Sequence, residues 1–249
     1  MNEALTQDRL LGGRVLLSQP AQGYRVAIDP VLLAAAVPAC EGCVLDAGAG
    51  TGAAALCLAV RVPGCKVVGI ELQPALQAIA AANVTHNALG SRVEILLGDL
   101  AQCPPGSFDH VMTNPPYLAA KVATAPPRQE RAHAHVEGSA ALDAWLQACV
   151  RMLEPGGTLT LIHRAERLGE ILAHLSGSLG ALTVFPLWPG ERGRPAKRVL
   201  VQGRKGSRAP LMLLPGLVLH AADGKLSPAA EAVLRHGDAL TLQGERAHA

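Results

Sequence analysis

Short apolar runs alternate along this chain with longer stretches in which Ala and Leu dominate. Cys43-Val44-Leu45-Asp46, Cys65 to Ile70, Arg92 to Leu97 and Phe108 to Thr113 each read as a buried strand. Between them, Ala53 to Arg61 and Pro74 to Asn87 carry helical patterns, the second opened by its Pro and stopped near Gly90. A helix over Ala140 to Leu153 ends at Pro155-Gly156-Gly157, and Thr158 to His163 is a fifth strand. A helix over Arg167 to Ser176 precedes two more strands, Ala181 to Leu187 and Arg198 to Gln202, separated by a Gly/Pro/Arg loop. Strands that alternate with helices predict an α/β fold: a mostly parallel sheet with helices on both faces.

The two ends depart from this rhythm. Gly13 to Ser18 and Tyr24 to Ile28 are strand-like, with turn residues at Pro20 to Gly23, and predict an N-terminal β-hairpin. Asp29-Pro30 reads as a helix N-cap followed by Pro at the first helical position; a ligand role for Asp29 stays open beside it. The last forty residues carry a short strand, Leu217 to His220, a turn at Asp223-Gly224 and a helix capped by Ser227-Pro228. The expected organisation is one domain over 1–249: hairpin and helix over 1–38, an α/β core over 39–208 and a C-terminal extension over 209–249.

Composition narrows the function classes. Of 249 residues, 49% are apolar, yet there are only two each of Phe, Trp and Tyr, so few rings are available to stack on bases. A net charge of +2 demands no polyanionic partner, and only local basic clusters can argue for one. Met1 to Leu10 is polar and lacks the core of a signal peptide, and no segment is apolar enough to predict a membrane span. Cys40 and Cys43 form a C-x-x-C pair, but no second pair accompanies it; no metal is expected, and the cysteines read as thiols in a reducing cytoplasm.

The candidate chemistry sits at strand ends. Thr113-Asn114-Pro115-Pro116-Tyr117 follows the fourth strand, and two prolines cannot continue it. The Asn114 side-chain oxygen and the Pro115 carbonyl can each accept one hydrogen of a planar amine, and Tyr117 can stack on the attached ring. Asp46-Ala47-Gly48-Ala49-Gly50-Thr51-Gly52 is a strand-to-helix glycine turn, and Glu71 ends the next strand, where it can accept from ribose hydroxyls. Those features suit a dinucleotide as well. Two further acids separate the cofactors. Asp46 precedes the glycines, where it would repel a pyrophosphate but accept an ammonium group, and Asp99 ends the third strand within reach of an adenine amine. The set suits S-adenosylmethionine, which has no phosphate.

On these residues the chain resembles the class I S-adenosylmethionine-dependent methyltransferases, of the amino-methyltransferase group that carries Asn/Asp-Pro-Pro-Tyr/Phe. Within it, Asp29-Pro30-Val31-Leu32-Leu33-Ala34 after a hairpin is similar to bacterial enzymes that methylate adenine N(6) in tRNA. The resemblance covers roughly Gly12 to Gln202. It implies a Rossmann-like, seven-stranded sheet with the last strand antiparallel. It also implies cofactor binding by the glycine loop (Gly48, Gly50, Gly52), Glu71 and Asp99, and amine binding by Asn114, Pro115, Pro116 and Tyr117.

An RNA substrate would need phosphate contacts. From Glu191 to Arg208 there are seven basic residues and one acid, and a second group, Lys121, Arg128, Arg131, His133 and His135, follows the Asn114 motif. Methylation of a protein glutamine amide shares the tetrapeptide but needs neither basic group. A nicotinamide-dependent oxidoreductase shares the glycines and Glu71 but leaves Asp99 and the Asn114 motif unexplained.

Overall fold

The computed structural model describes residues 4–22, 26–39, 41–106, 108–115, 141–190 and 194–242. Its centre is a sheet built from β3 (Cys43–Ala47), β4 (Lys66–Glu71), β5 (Val93–Leu97), β6 (Phe108–Thr113), β7 (Leu153–Arg164), β8 (Leu179–Trp188) and β9 (Arg198–Lys205). These seven run in the order β5-β4-β3-β6-β7-β9-β8; all neighbours are parallel except β9, which is antiparallel to both β7 and β8. Two two-residue strands, β10 (Met212–Leu213) and β11 (Leu217–Val218), extend the sheet by pairing in parallel with β8.

Both faces are covered because the central strands are apolar on both sides. On one face α1 (Asp29–Ala36), α2 (Ala53–Arg61) and α3 (Pro74–His86) bury Leu32, Leu33, Leu56, Leu58 and Ala80 against Val44, Val67 and Met112. On the other, α4 (141–152) and α5 (Leu168–Leu175) bury Leu142, Leu146, Cys149, Ile171 and Leu175 against Leu45, Val111, Leu159 and Leu161. Small Ala side chains let α1 and α2 pack closely, which is how a core almost without aromatic rings is filled. A buried polar chain crosses the sheet under α1. Gln202 Nε2 donates to Thr160 Oγ1 (2.8 Å) and to Ala36 O (3.1 Å), and His110 Nε2 lies 2.9 Å from the same hydroxyl. Burial pushes the His110 pKa down to about 3, so it stays neutral there.

The N-terminal hairpin differs from the expected one. Its strands are β1 (Leu5–Leu10) and β2 (Val15–Pro20), paired antiparallel around a turn over Leu11–Gly13. Every residue of β1 is at least partly exposed, because the strand pairs with β2 alone, so no apolar alternation marks it in the sequence. Val26 to Ile28 is not strand, and Tyr24 and Arg25 lie outside the described residues. Asp29 is not the N-cap of α1 either. Ile28 holds that position, with its carbonyl accepting from Val31 N and Leu32 N, and the Asp29 carboxylate accepts from Arg198 Nε at 2.9 Å. A charge-assisted bond to a guanidinium outcompetes a cap.

The C-terminal segment does more than lie on the sheet. Ser227 caps α6 (Pro228–Glu231), which continues as a wider turn over Ala232–His236. Arg14 of the hairpin donates to the His236 carbonyl at 2.6 Å, and Leu240 N donates to Ala35 O of α1 at 2.8 Å. The segment thereby locks hairpin and α1 together.

Candidate active site

Parallel register brings the candidate residues to one edge. Ala47 pairs with Ile70 and with Thr113, Glu71 with Leu97, and Thr113 with Leu161. The next residues on these strands, Gly48, Gly98-Asp99 and Asn114, therefore leave the sheet side by side with Glu71, at the edge where open α/β sheets bind ligands.

The glycine loop is held from below. Gly48 N and Ala49 N both donate to Ile70 O at 3.0 Å, and Gly50 N donates to Glu71 Oε2 at 2.8 Å. Gly48 has φ +77°, and a Cβ there would stand 2.9 Å from the Trp145 ring; Gly52, with φ +84°, starts α2 in the left-handed region. Gly52 has no side chain to cap the helix. Asp46 substitutes, accepting from Ala55 N at 3.1 Å from the strand below. Burial raises the Asp46 pKa to about 7, the Ala55 hydrogen bond lowers it less, and the charge of Glu71 adds to the rise. An incoming ammonium group would restore its ionised form and pair with it, whereas a pyrophosphate would push it further towards the neutral acid.

The other acids have local partners too. Glu71 is buried; its second oxygen accepts from Gln73 N at 2.9 Å, so it clamps the turn after β4 as well as the glycine loop. Asp99 accepts from Ala101 N at 2.9 Å and Gln102 Nε2 at 3.0 Å, which shapes the turn after β5. A carboxylate can accept about four hydrogen bonds, so both retain acceptor capacity. Asp29 sits with Arg198, whose strand partner is Arg164 at the end of β7.

Two buried polar atoms have no hydrogen-bond partner among the described residues and flank this edge: Thr51 Oγ1 in the glycine loop and Asn114 Oδ1. Buried acceptors are almost always satisfied. Their presence, with acids rather than bases around the loop, fits S-adenosylmethionine and an amine. Pro115 follows Asn114 in the described chain, whereas Pro116 and Tyr117 lie outside it, as does the basic group over Lys121 to His135.

The basic run after Glu191 is divided. Arg192 lies outside the described residues. Arg198 pairs with Arg164 at the carboxyl edge, and exposed Arg194 and Lys197 precede it. Arg204 pairs with Thr158 at the opposite end, about 20 Å along β9. There Arg204 Nε donates to Gly156 O at 3.0 Å, and Lys205 Nζ donates to Val150 O at 3.0 Å and Leu153 O at 2.6 Å, capping α4. Arg204 and Lys205 therefore do not belong to one RNA-facing loop: the antiparallel strand carries them away from the site.

Sequence patterns missed three supporting residues. Thr113, fully buried, donates to Ala47 O at 2.8 Å and accepts from Trp145 Nε1 at 2.9 Å. Asn83 accepts from Ser18 N at 2.9 Å and donates to Ser18 O and Thr51 O at 2.8 and 3.0 Å, tying hairpin, α3 and glycine loop together. None follows a spacing rule; each is defined by what the fold places across from it. Among the described residues no group of three His, Cys, Asp or Glu could hold a metal ion, and no helix is long and apolar enough to cross a membrane.

The methyltransferase small domain family model matches residues 28–185, which include the whole edge. A relative from Yersinia pestis (strain Pestoides F), named tRNA1(Val) (adenine(37)-N6)-methyltransferase, is 31% identical over 241 residues, covering 92% of this chain and 95% of its own. One of the same name from Porphyromonas gingivalis (strain ATCC 33277) is 30% identical over 236 residues, covering 85% and 88%. Among solved structures, a predicted O-methyltransferase from Agrobacterium tumefaciens superposes with a TM-score of 0.72 at 26% identity, covering 86% of this chain and 98% of that one. With family, fold and donor set in agreement, the chain belongs to the methyltransferase small domain family and is an S-adenosylmethionine-dependent methyltransferase.

Proposed function

We propose that this enzyme methylates the exocyclic amine of an adenine in tRNA, yielding N(6)-methyladenosine. The observation that carries this reading is Asn114 Oδ1, an acceptor buried without a partner among the described residues, at the strand edge beside the glycine loop. An acceptor so placed selects a donor, and an amine has N–H to give. The two relatives described above, at about 30% identity over most of the chain, carry names that specify the same atom.

S-adenosylmethionine supplies an electrophilic methyl group on a sulfonium. The chain's own contribution is positioning and preorganised charge. Asp46 would receive the ammonium group, Glu71 the ribose hydroxyls, and Asp99 the adenine amine of the cofactor, with Gly48, Gly50 and Gly52 allowing close approach. Asn114 Oδ1 and the Pro115 carbonyl would each accept one N–H of the target amine. Those two bonds favour a pyramidal nitrogen and aim its lone pair in line with the methyl carbon, which an aromatic amine does not do unaided. The methylated nitrogen is acidic and loses its proton afterwards, so no strong base is needed. Pro116 belongs to the same amine-binding motif, and Tyr117 would stack on the target base once it is flipped out of the RNA.

Phosphate contacts are assigned to the part of the basic run that stays at the site edge, Arg194, Lys197 and Arg198, together with the group from Lys121 to His135. Hairpin, α/β core and C-terminal segment act as one domain in this reading, in the cytoplasm where tRNA is modified.

The test is transfer of labelled methyl from S-adenosylmethionine to total tRNA lacking endogenous modification, followed by nucleoside mass spectrometry. N(6)-methyladenosine should appear with wild type and fall at least a hundredfold with Asn114→Ala, while cofactor binding persists. Label in a protein glutamine, with none in RNA, would overturn the RNA assignment.

A further inference from the structure

Two loops must be held in fixed relation for methyl transfer: the glycine loop on the donor side and the Asn114 turn on the acceptor side. They leave neighbouring strands, β3 and β6, whose last residues Ala47 and Thr113 are directly paired. Beyond those residues the ladder stops, and ordinary strand bonds no longer fix one loop against the other. One side chain from a third element spans the junction. Trp145, on α4, donates its indole N–H to Thr113 Oγ1 at 2.9 Å. The six-membered edge of the same indole lies against Gly48, so closely that a Cβ there would stand 2.9 Å from Cζ2 and 3.0 Å from Cη2.

Thr113 has one hydroxyl hydrogen, which goes to Ala47 O at 2.8 Å, and it uses a lone pair for the indole. The indole is a donor only, and its donor is used. The Cys149 thiol of α4 also lies against the Thr113 side chain, and the residue bonded to the indole is the immediate neighbour of Asn114.

We infer that Trp145 is a positioning residue: by packing on Gly48 and hydrogen-bonding Thr113, it sets the distance between methyl donor and acceptor. This inference rests on the site assignment to Asn114 and the glycine loop, not on which molecule carries the amine. Among the described residues Trp145 meets the Gly48 backbone, the Thr113 hydroxyl and the apolar cluster under α4, none of them a reacting atom, so its effect belongs to the transfer step rather than to cofactor affinity.

Three variants test it. Trp145→Phe keeps a ring against Gly48 and removes the N–H. Thr113→Val removes the hydroxyl at equal volume, and Thr113→Ser restores it. Single-turnover methyl transfer to tRNA should fall about tenfold in the first two and recover in Thr113→Ser, while the Kd for S-adenosylhomocysteine, measured by calorimetry, stays within about twofold of wild type. A substrate-free readout accompanies this. Trp145 and Trp188 are the two tryptophans, so the nitrogen-15 indole region is assigned with one Trp188→Phe variant. The Trp145 indole resonance should shift both on adding S-adenosylhomocysteine and on introducing Asn114→Ala. Wild-type transfer rates in Trp145→Phe and Thr113→Val, a Kd that rises in step with the rate loss, or an indole resonance silent to both perturbations would each overturn the inference. A wild-type enzyme that transfers nothing to tRNA would count against the RNA substrate, and the indole resonance would still decide the role of Trp145.

Discussion

Asp46 offers the sharpest test of how the site is built. Its carboxyl is buried under the glycine loop and its pKa is raised from 3.8 to about 7, chiefly by burial. The folded chain therefore binds this proton more tightly than the unfolded chain does. Unfolding free energy falls as pH rises from about 4 to about 7 and is level above that. A gap of about three units, at 1.36 kcal/mol each, amounts to roughly 4 kcal/mol of penalty at pH 8 in the cofactor-free protein. Asp46→Asn removes the charge, and its side-chain oxygen can still accept from Ala55 N. The new amide N–H groups need partners, at a cost of about 1–3 kcal/mol. The variant should thus be more stable than wild type by about 1–3 kcal/mol at pH 8, a rise of several degrees in Tm, with the advantage reduced or reversed at pH 5.5.

Cofactor binding should move the other way. An ammonium group favours the ionised carboxyl, so wild-type Kd for S-adenosylhomocysteine should weaken below pH 7, approaching tenfold per unit, while Asp46→Asn binds weakly with a flatter profile. Thermal denaturation and calorimetry at pH 5.5 and 8 measure both. A variant less stable than wild type by the same amount at the two pH values, or a wild-type Kd independent of pH between them, would refute this reasoning.

Glu71→Gln should weaken S-adenosylhomocysteine binding by roughly ten- to a hundredfold in calorimetry, because Gly50 N and Gln73 N lose a charged acceptor that shapes both turns. Asn83→Leu removes three hydrogen bonds made by a buried side chain between hairpin, α3 and Thr51 and should lower stability by about 3 kcal/mol in urea unfolding. Asn87→Ala, which breaks the more exposed bonds to Leu16, should cost about 1 kcal/mol or less in the same assay. Charge reversal at Arg194 and Lys197 should weaken tRNA binding and flatten its salt dependence in filter binding. Lys205→Ala should instead lower Tm through the exposed end of α4 and leave the salt slope unchanged.

Much of this architecture was legible in the pattern of apolar positions. β6 and α2 have the bounds read from sequence, β3 and β5 differ by one residue at one end and β4 by one residue at each end, because buried strands and Ala/Leu helices carry their burial in their composition. The glycine turn, Glu71, Asp99 and Asn114 could be set at one edge from strand ends alone, since a parallel sheet aligns those ends. β1 could not be read, because a half-exposed strand needs no apolar face. The capping role given to Asp29 failed because Arg198, 169 positions away, takes its carboxylate. The basic run looked continuous, but β9 separates its two ends along its length, a consequence of strand direction rather than residue type.

Local chemistry therefore determined which segments became strands and helices, and which residues could bind an amine or an ammonium group. Tertiary structure decided what those residues do structurally: Asp46 caps α2, Glu71 clamps the glycine loop, and Thr113 and Trp145 join the glycine loop to the end of β6. The reason is physical. Strand and helix preferences follow from near neighbours in the chain, whereas a pKa, an unsatisfied acceptor or a bridging indole depends on groups that only packing brings within hydrogen-bond distance.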